Sequence, residues 1–342
     1  MPFRLVVTAL AMAITGGAIT GGDITVGAIA AGGAQTAQPQ ADYGDSSQLY
    51  GVLTKQPHTR LTIDGGVIDV VFADGADGLN RARVLDWIST SATAVGGYFG
   101  RFPVSHVGLL VIADDGDKIG SGTTYGFGSS AIRIHVGRAA GDEAFHKDWV
   151  LVHEMTHLAL PGVPRRSNWV LEGNATYVEP IARAQAGQLD PSVVWRWAIE
   201  GMPKGEPKPG DQGLDETPTW GRTYWGGATF WLLADVRIRQ ATHGRLGVQD
   251  ALRAINRRSG GNTTDWSVDQ MMTVGDAAVG VQVLAPLYAE MKSTPIQVDL
   301  SGLFARLGVS EVSGAVVFDD TAPLADIRRQ ITAPPHNGAS VR

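Results

Sequence analysis

The residues of this 342-residue sequence best suited to chemistry are His153-Glu154-Met155-Thr156-His157. On a helix, positions i and i+4 share a face, so both imidazoles point the same way and can share one metal ion. Glu154 then sits about 100° round the helix from His153. That is close to the ion without binding it, which suits a base acting on water at the metal. The plain alternative is a helix that carries two histidines by chance. Helical context weighs against it, because Leu151, Met155 and Leu158 recur at i, i+4 and i+7 and give the segment one buried face. Leu160-Pro161-Gly162 stops the helix.

Two imidazoles leave a four-coordinate catalytic zinc one protein ligand short, with the fourth position kept for water. The sequence has no cysteine, so the third donor must be a carboxylate or another imidazole. Glu172 is the candidate, within Trp169-Val170-Leu171-Glu172-Gly173-Asn174-Ala175-Thr176-Tyr177. Pro161-Gly162 turns the chain, and an antiparallel helix pair of this length can bring Glu172 beside both histidines. Without that partnership Glu172 is an exposed first-turn Glu favoured by the helix dipole. Both readings stand on the residues alone.

The elements that must hold these groups are read from periodicity. Residues 61–72 are β-leaning around a turn at Gly65-Gly66, and 80–98 repeat as a helix. A strand at 107–112 precedes a Gly-rich stretch at 120–130 and an alternating strand at 131–136. From about residue 142 the helical signal dominates. Ser167 or Asn168 can cap a helix over 169–178, which Pro180 is expected to end. A Pro/Gly-rich loop over 201–219 and helices over 227–239 and 248–258 follow. The expected fold is α+β: a twisted, largely antiparallel sheet packed on the metal-site helix. A β-rich N-terminal lobe spans 48–160, and a helical C-terminal lobe of the same catalytic unit spans 161–342.

With 44% hydrophobic and 18% charged residues the chain can bury a sizeable core. The formal net charge of −6 argues against a nucleic-acid partner, which would need a basic face. Arg4 followed by an apolar run over 5–14 reads as an export signal, with small residues for cleavage at Ala28, Ala30 and Ala34. The expectation is a signal peptide over 1–34, a disordered linker over 35–47, and a secreted or periplasmic product. Asp23 interrupts any longer apolar span, so no stable membrane insertion is expected after cleavage.

The motif followed by a Trp-x-x-Glu-Gly-x-x-x-Tyr helix resembles the gluzincin zinc metallopeptidases with a thermolysin-like catalytic domain. Tyr224-Trp225-Gly226-Gly227-Ala228 and the helix after it resemble the Tyr-x-Lys-Gly-Ala segment of the PDZ-associated glycyl aminopeptidase family. Asp299 to Gly308 is similar to the end of that family's catalytic domain, so the resemblance covers about residues 146–308. It implies one zinc ion per chain held by His153, His157 and Glu172, with Glu154 as general base. Tyr224 is implied as a donor to the oxyanion of the tetrahedral intermediate, where a neutral phenol would face developing negative charge. The implied substrate is a peptide or protein.

The departures bear on specificity. Gly226 stands where the pattern has Lys, and the Gly-rich stretch lacks the Glu that in related aminopeptidases holds the substrate's free amine. Cleavage inside chains, tolerant of blocked amino termini, is therefore expected over aminopeptidase action, with Glu143 or Asp142 as groups able to fold in and reverse that. Glu179 is a candidate partner for a ligand histidine, while His146 and His135 read as structural. Trp220, Trp225 and Trp231 line an apolar pocket or the core, and the loop over 201–219 overhangs the cleft. The reading from a different class is a secreted binding protein that keeps the zinc scaffold without turnover.

Overall fold

Two faces of one strand organise the molecule, whose computed structural model describes residues 7–9 and 43–334. In β4 (His106–Asp114), Val107, Leu109, Val111 and Ala113 pack into the main core, whereas Leu110 and Ile112 pack into a second cluster behind the sheet. Each of these Val, Leu and Ile side chains, fully buried, contributes about 1.5–3 kcal/mol over an exposed one.

Around β4 the chain builds β1 (Val7–Ala9), β2 (Thr59–Ile63), β3 (Gly66–Phe72), β5 (Ile119–Tyr125) and β6 (Ala131–Gly137). The order across the sheet is β1-β5-β6-β4-β3-β2. The two inner pairs, β3 with β4 and β4 with β6, are parallel, and the outer pairs are antiparallel. The sheet is thus mixed rather than largely antiparallel. The cause is α2 (Arg81–Phe99), a crossover helix that returns the chain to start β4 at the same end as β3. β2 and β3 form a hairpin whose turn places Asp64 and Gly65 at φ 47° and 81°, the left-handed pair that suits strand twist.

One face of the sheet is covered by α1 (Ser46–Lys55), which brings Leu49 into the second cluster. The other packs on α2 and on α4 (Val150–His157), which follows the short α3 (Asp142–Lys147). Then come α5 (Trp169–Gln185), α6 (Pro191–Gly201), α7 (Gly227–Ala241), α8 (Val248–Ser259), α9 (Val268–Val279), α10 (Leu284–Ser293) and α11 (Leu300–Leu307). A hairpin of β7 (Val309–Val312) and β8 (Ala315–Phe318) precedes α12 (Ala325–Thr332). A single core cluster runs from Ile68 in β3 to Ile331 in α12, joining sheet and helices.

α5 does not stop at Pro180 but runs five residues past it, to Gln185. A proline inside a helix costs about 3 kcal/mol. Here all but one residue of α5 is buried, so packing against α2, α4 and α7 outweighs one missing backbone bond. The Gly-rich stretch, for which no strand was expected, is mostly strand β5, next to α4. The proposed leader lies outside the described residues except for Val7–Ala9, whose backbone pairs with β5. No described helix is long and apolar enough to cross a membrane.

Candidate metal centre

α4 begins at a carboxylate. Asp148 Oδ1 accepts the Val150 N–H at 3.0 Å, and Oδ2 accepts the Leu151 N–H at 3.1 Å and Trp87 Nε1 at 3.2 Å. These bonds satisfy amides that a helix start leaves open. Burial nonetheless pushes the Asp148 carboxyl up to about 6. His153 and His157 follow on the buried face of α4, their rings 4.8 Å apart and nearly perpendicular.

α5 brings Glu172 across. Its Oε2 lies 3.3 Å from His153 Nε2 and 3.5 Å from His157 Nε2, and all three side chains are buried. The donor atoms lie within 4.8 Å of one another. Ligands about 2.0–2.1 Å from a tetrahedral zinc stand about 3.3–3.4 Å apart, so the Glu–His separations suit that ion. His157 Nε2 has no hydrogen-bond partner among the described residues, although it is buried. A cation at the centre would satisfy it, and two imidazoles with one carboxylate are a donor set zinc accepts. Burial alone would raise the Glu172 carboxyl, but the two imidazoles outweigh it and hold its pKa at about 2, in the anionic, metal-binding form.

Asn168 does not cap α5. Its backbone is already helical, and its Nδ2 points to Glu172 Oε1 at 3.4 Å. The i, i+4 spacing puts the two on one face.

Glu154 faces β5. Thr124 Oγ1 on β5 lies 2.7 Å from Glu154 Oε2 and 2.9 Å from Glu154 O, its one proton shared between them. Gly122 makes that approach possible, since a Cβ there would lie 2.5 Å from Glu154 Cγ. Neither residue was identified from sequence. Thr124 sits thirty residues from its partner, and only the packing of β5 against α4 brings them together.

Tyr224 comes from a wide helical turn, Arg222–Gly226, closed by the Gly227 N–H on Arg222 O. Such turns are rare and frequently occur at functional sites. The phenol is hydrogen-bonded to Glu172, and its ring stacks 6.2 Å from that of His153. Burial first, then the charges of Glu172 and Glu154, raise its pKa far above that of a free phenol, so it stays a neutral donor. The approach depends on bare backbone. A Cβ on Gly173 would lie 2.3 Å from Gly227 Cα, so α5 and α7 cross where neither carries a side chain.

Other candidates fall elsewhere. Glu179 pairs with Arg183 Nη1 at 2.9 Å rather than with a ligand histidine, and burial pushes its carboxyl up to about 7 despite that guanidinium. His146 lies on α3, where its carbonyl accepts Arg183 Nη2, and His135 Nδ1 meets Asp114 at 2.9 Å. Glu143 pairs with Lys147, and Asp142 pairs with Arg83 at 2.7 Å. Both acids are largely exposed and held by those partners. Trp231 is core, donating Nε1 to Val170 O, whereas Trp220 is 45% exposed beside Tyr224. The loop does border the cleft: Arg222 donates to Gly205 O and Gln212 O, and Leu214 and Pro218 line the cavity beside Glu172.

No protein-family model matches the sequence, and no curated protein matches it. Among solved structures, the fold resembles an aminopeptidase N family protein from Idiomarina loihiensis, with a TM-score of 0.55 and 12% identity. That match covers 74% of this chain and 49% of the other. An M1 zinc metallopeptidase from Deinococcus radiodurans gives a TM-score of 0.44 and 14% identity, over 70% and 52% of the two chains. This chain therefore spans about half the length of these neighbours. The likeness is one of fold, a mixed α/β domain with a β-sheet and many helices.

Proposed function

We propose that this chain is a zinc-dependent peptidase of gluzincin type that cleaves inside peptide chains and acts after export. The observation that carries the reading is the convergence of His153 Nε2, His157 Nε2 and Glu172 Oε2, with Glu154 held beside them by β5. His153, His157 and Glu172 would hold the ion. When bound, zinc supplies Lewis acidity, which polarises the scissile carbonyl and lowers the pKa of water toward about 7.

The remaining steps belong to the chain. Glu154 takes the proton from the attacking water and returns it to the leaving amine, with Thr124 holding its carboxylate in place. Tyr224 donates to the developing oxyanion, the role its raised pKa suits. The substrate backbone takes the place beside β5 that Val7–Ala9 fills in this structure, opposite Thr124, Thr123 and Gly122, and that removal of the leader would leave as an open edge.

Internal cleavage follows from the same edge. An aminopeptidase needs an anion near the metal for the substrate's ammonium, whose burial without a partner is costly. β5 carries none, and Asp142 and Glu143 are engaged elsewhere. The test is a matched pair of peptides, one acetylated and one with a free amine, with and without chelator. Both should be cut internally, and chelation should stop cleavage until zinc is restored. Stepwise cutting of the free-amine peptide alone would make it an aminopeptidase. No cleavage of either would favour a binding protein on this scaffold.

Tyr224→Phe should lower kcat by roughly tenfold to a thousandfold, the cost of one lost oxyanion donor. Zinc content by elemental analysis should stay that of the parent. An unchanged kcat would reduce Tyr224 to packing.

A further inference from the structure

Beside Glu172 and Tyr224 the surface opens into a cleft of about 360 Å³ whose lining divides by chemistry. Trp220, Pro218 and Leu214 supply apolar surface, and Arg165 and Arg166 supply two guanidinium groups. Among the described residues, the other exposed large apolar side chains are Val312, Val317 and Phe318, all on the β7–β8 hairpin. Trp220 therefore stands apart, an indole half open to solvent and tilted 30° to Tyr224 at 6.1 Å.

The two arginines differ in their attachments. Arg166 Nε lies 3.5 Å from Asp215 Oδ2, and Asp215 is itself held by Trp169 Nε1 at 2.7 Å. That contact aims one guanidinium while leaving it largely exposed. Arg165 forms no ion pair among the described residues. Both lie in the short helical turn Arg165–Ser167, just ahead of the helix that carries Glu172. In a chain of net charge −6, the cleft thus carries two guanidinium groups, against the Glu172 carboxylate at its metal-donor end and Asp215 beside Arg166.

Resting on the peptidase reading above, we infer that this cleft is a specificity subsite for a substrate carboxylate. The anion is held by Arg165 and Arg166, and the carbon stem behind it lies on Trp220. A guanidinium fork matches a carboxylate with two parallel bonds, which an ammonium or an amide cannot do. A stem of one or two methylenes covers part of the indole that water now wets. The carboxylate belongs either to an Asp or Glu side chain or to the free carboxyl terminus, and peptide design separates the two.

The experiment compares three quenched fluorescent peptides. One is acetylated, amidated and contains Glu, stepped through the positions on both sides of the cut; one has Gln in its place; one has no acid but a free carboxyl terminus. The parent should favour a carboxylate peptide over the Gln peptide by about tenfold in kcat/KM, the yield of one partly exposed charged hydrogen bond. In Arg165→Gln/Arg166→Gln that ratio should fall toward one, and in the parent it should shrink with added salt. Preference for the free-terminus peptide identifies the anion as the terminal one. Calorimetric titration of the same peptides into Glu154→Gln protein gives a second readout that needs no turnover. Equal cleavage of Glu, Gln and free-terminus peptides by the parent would overturn the subsite, as would a ratio that survives the double substitution. Discrimination in binding with no cleavage by the parent would keep the subsite and sink the peptidase reading.

Discussion

Glu154→Gln is expected to lower hydrolysis by roughly a hundredfold to ten-thousandfold, the usual loss when a positioned general base is removed. Zinc content should stay at about one ion per chain, because three other side chains form the donor set. The amide has the size of the carboxylate but cannot take up the proton that water must lose. It also cannot return one to the leaving amine. Thr124 Oγ1, 2.7 Å from Glu154 Oε2, can still donate to an amide oxygen, so the side chain should stay in place. Single-turnover kinetics with parallel metal analysis is the measurement. Turnover within a few-fold of the parent would mean that another group takes the proton, and the base would have to be sought elsewhere in the cleft.

Much of the arrangement around Glu154 was legible because it is local. Two histidines one turn apart share a helix face whatever the fold, and the apolar repeat in α4 says which face is buried. The turn between β2 and β3, read at Gly65-Gly66 and found one residue earlier at Asp64-Gly65, and the helix read over 80–98 were nearly as readable, since turn residues and apolar repeats are local signals. What stayed hidden depends on contacts between distant segments. The glycines of β5 look like a flexible loop until α4 lies against the strand and Gly122 makes room for Glu154. Pro180 is a strong local stop, yet the burial of α5 overrides it. The parallel pairing of β3 with β4 follows from the crossover through α2, and that of β4 with β6 from the insertion of β6 between β4 and β5, topological facts that strand patterns do not carry. Arg165 and Arg166 look like solvated charges until Trp220 arrives from the far side of the loop to wall the same cleft.

Glu172→Ala separates a metal ligand from a buried ion-pair partner, two roles that its contacts with His153 and His157 would serve equally well. If Glu172 only paired with the imidazoles, its removal would break a buried pair. That would cost about 3–5 kcal/mol whether or not zinc is present. If it binds zinc, the loss is conditional. The parent gains stability from zinc by mass action, as the logarithm of zinc concentration over Kd. The variant, left with two imidazoles, should lose zinc affinity by more than the roughly tenfold to hundredfold that an outer-shell partner costs. Thermal melts in zinc should therefore separate parent from variant widely. In chelator the gap should narrow to what the contacts of Glu172 with His153 and His157 contribute alone, because the zinc term drops out of the parent's stability. A gap of the same size in both conditions, or a full zinc complement in the variant, would remove Glu172 from the donor set and return it to the ion-pair role.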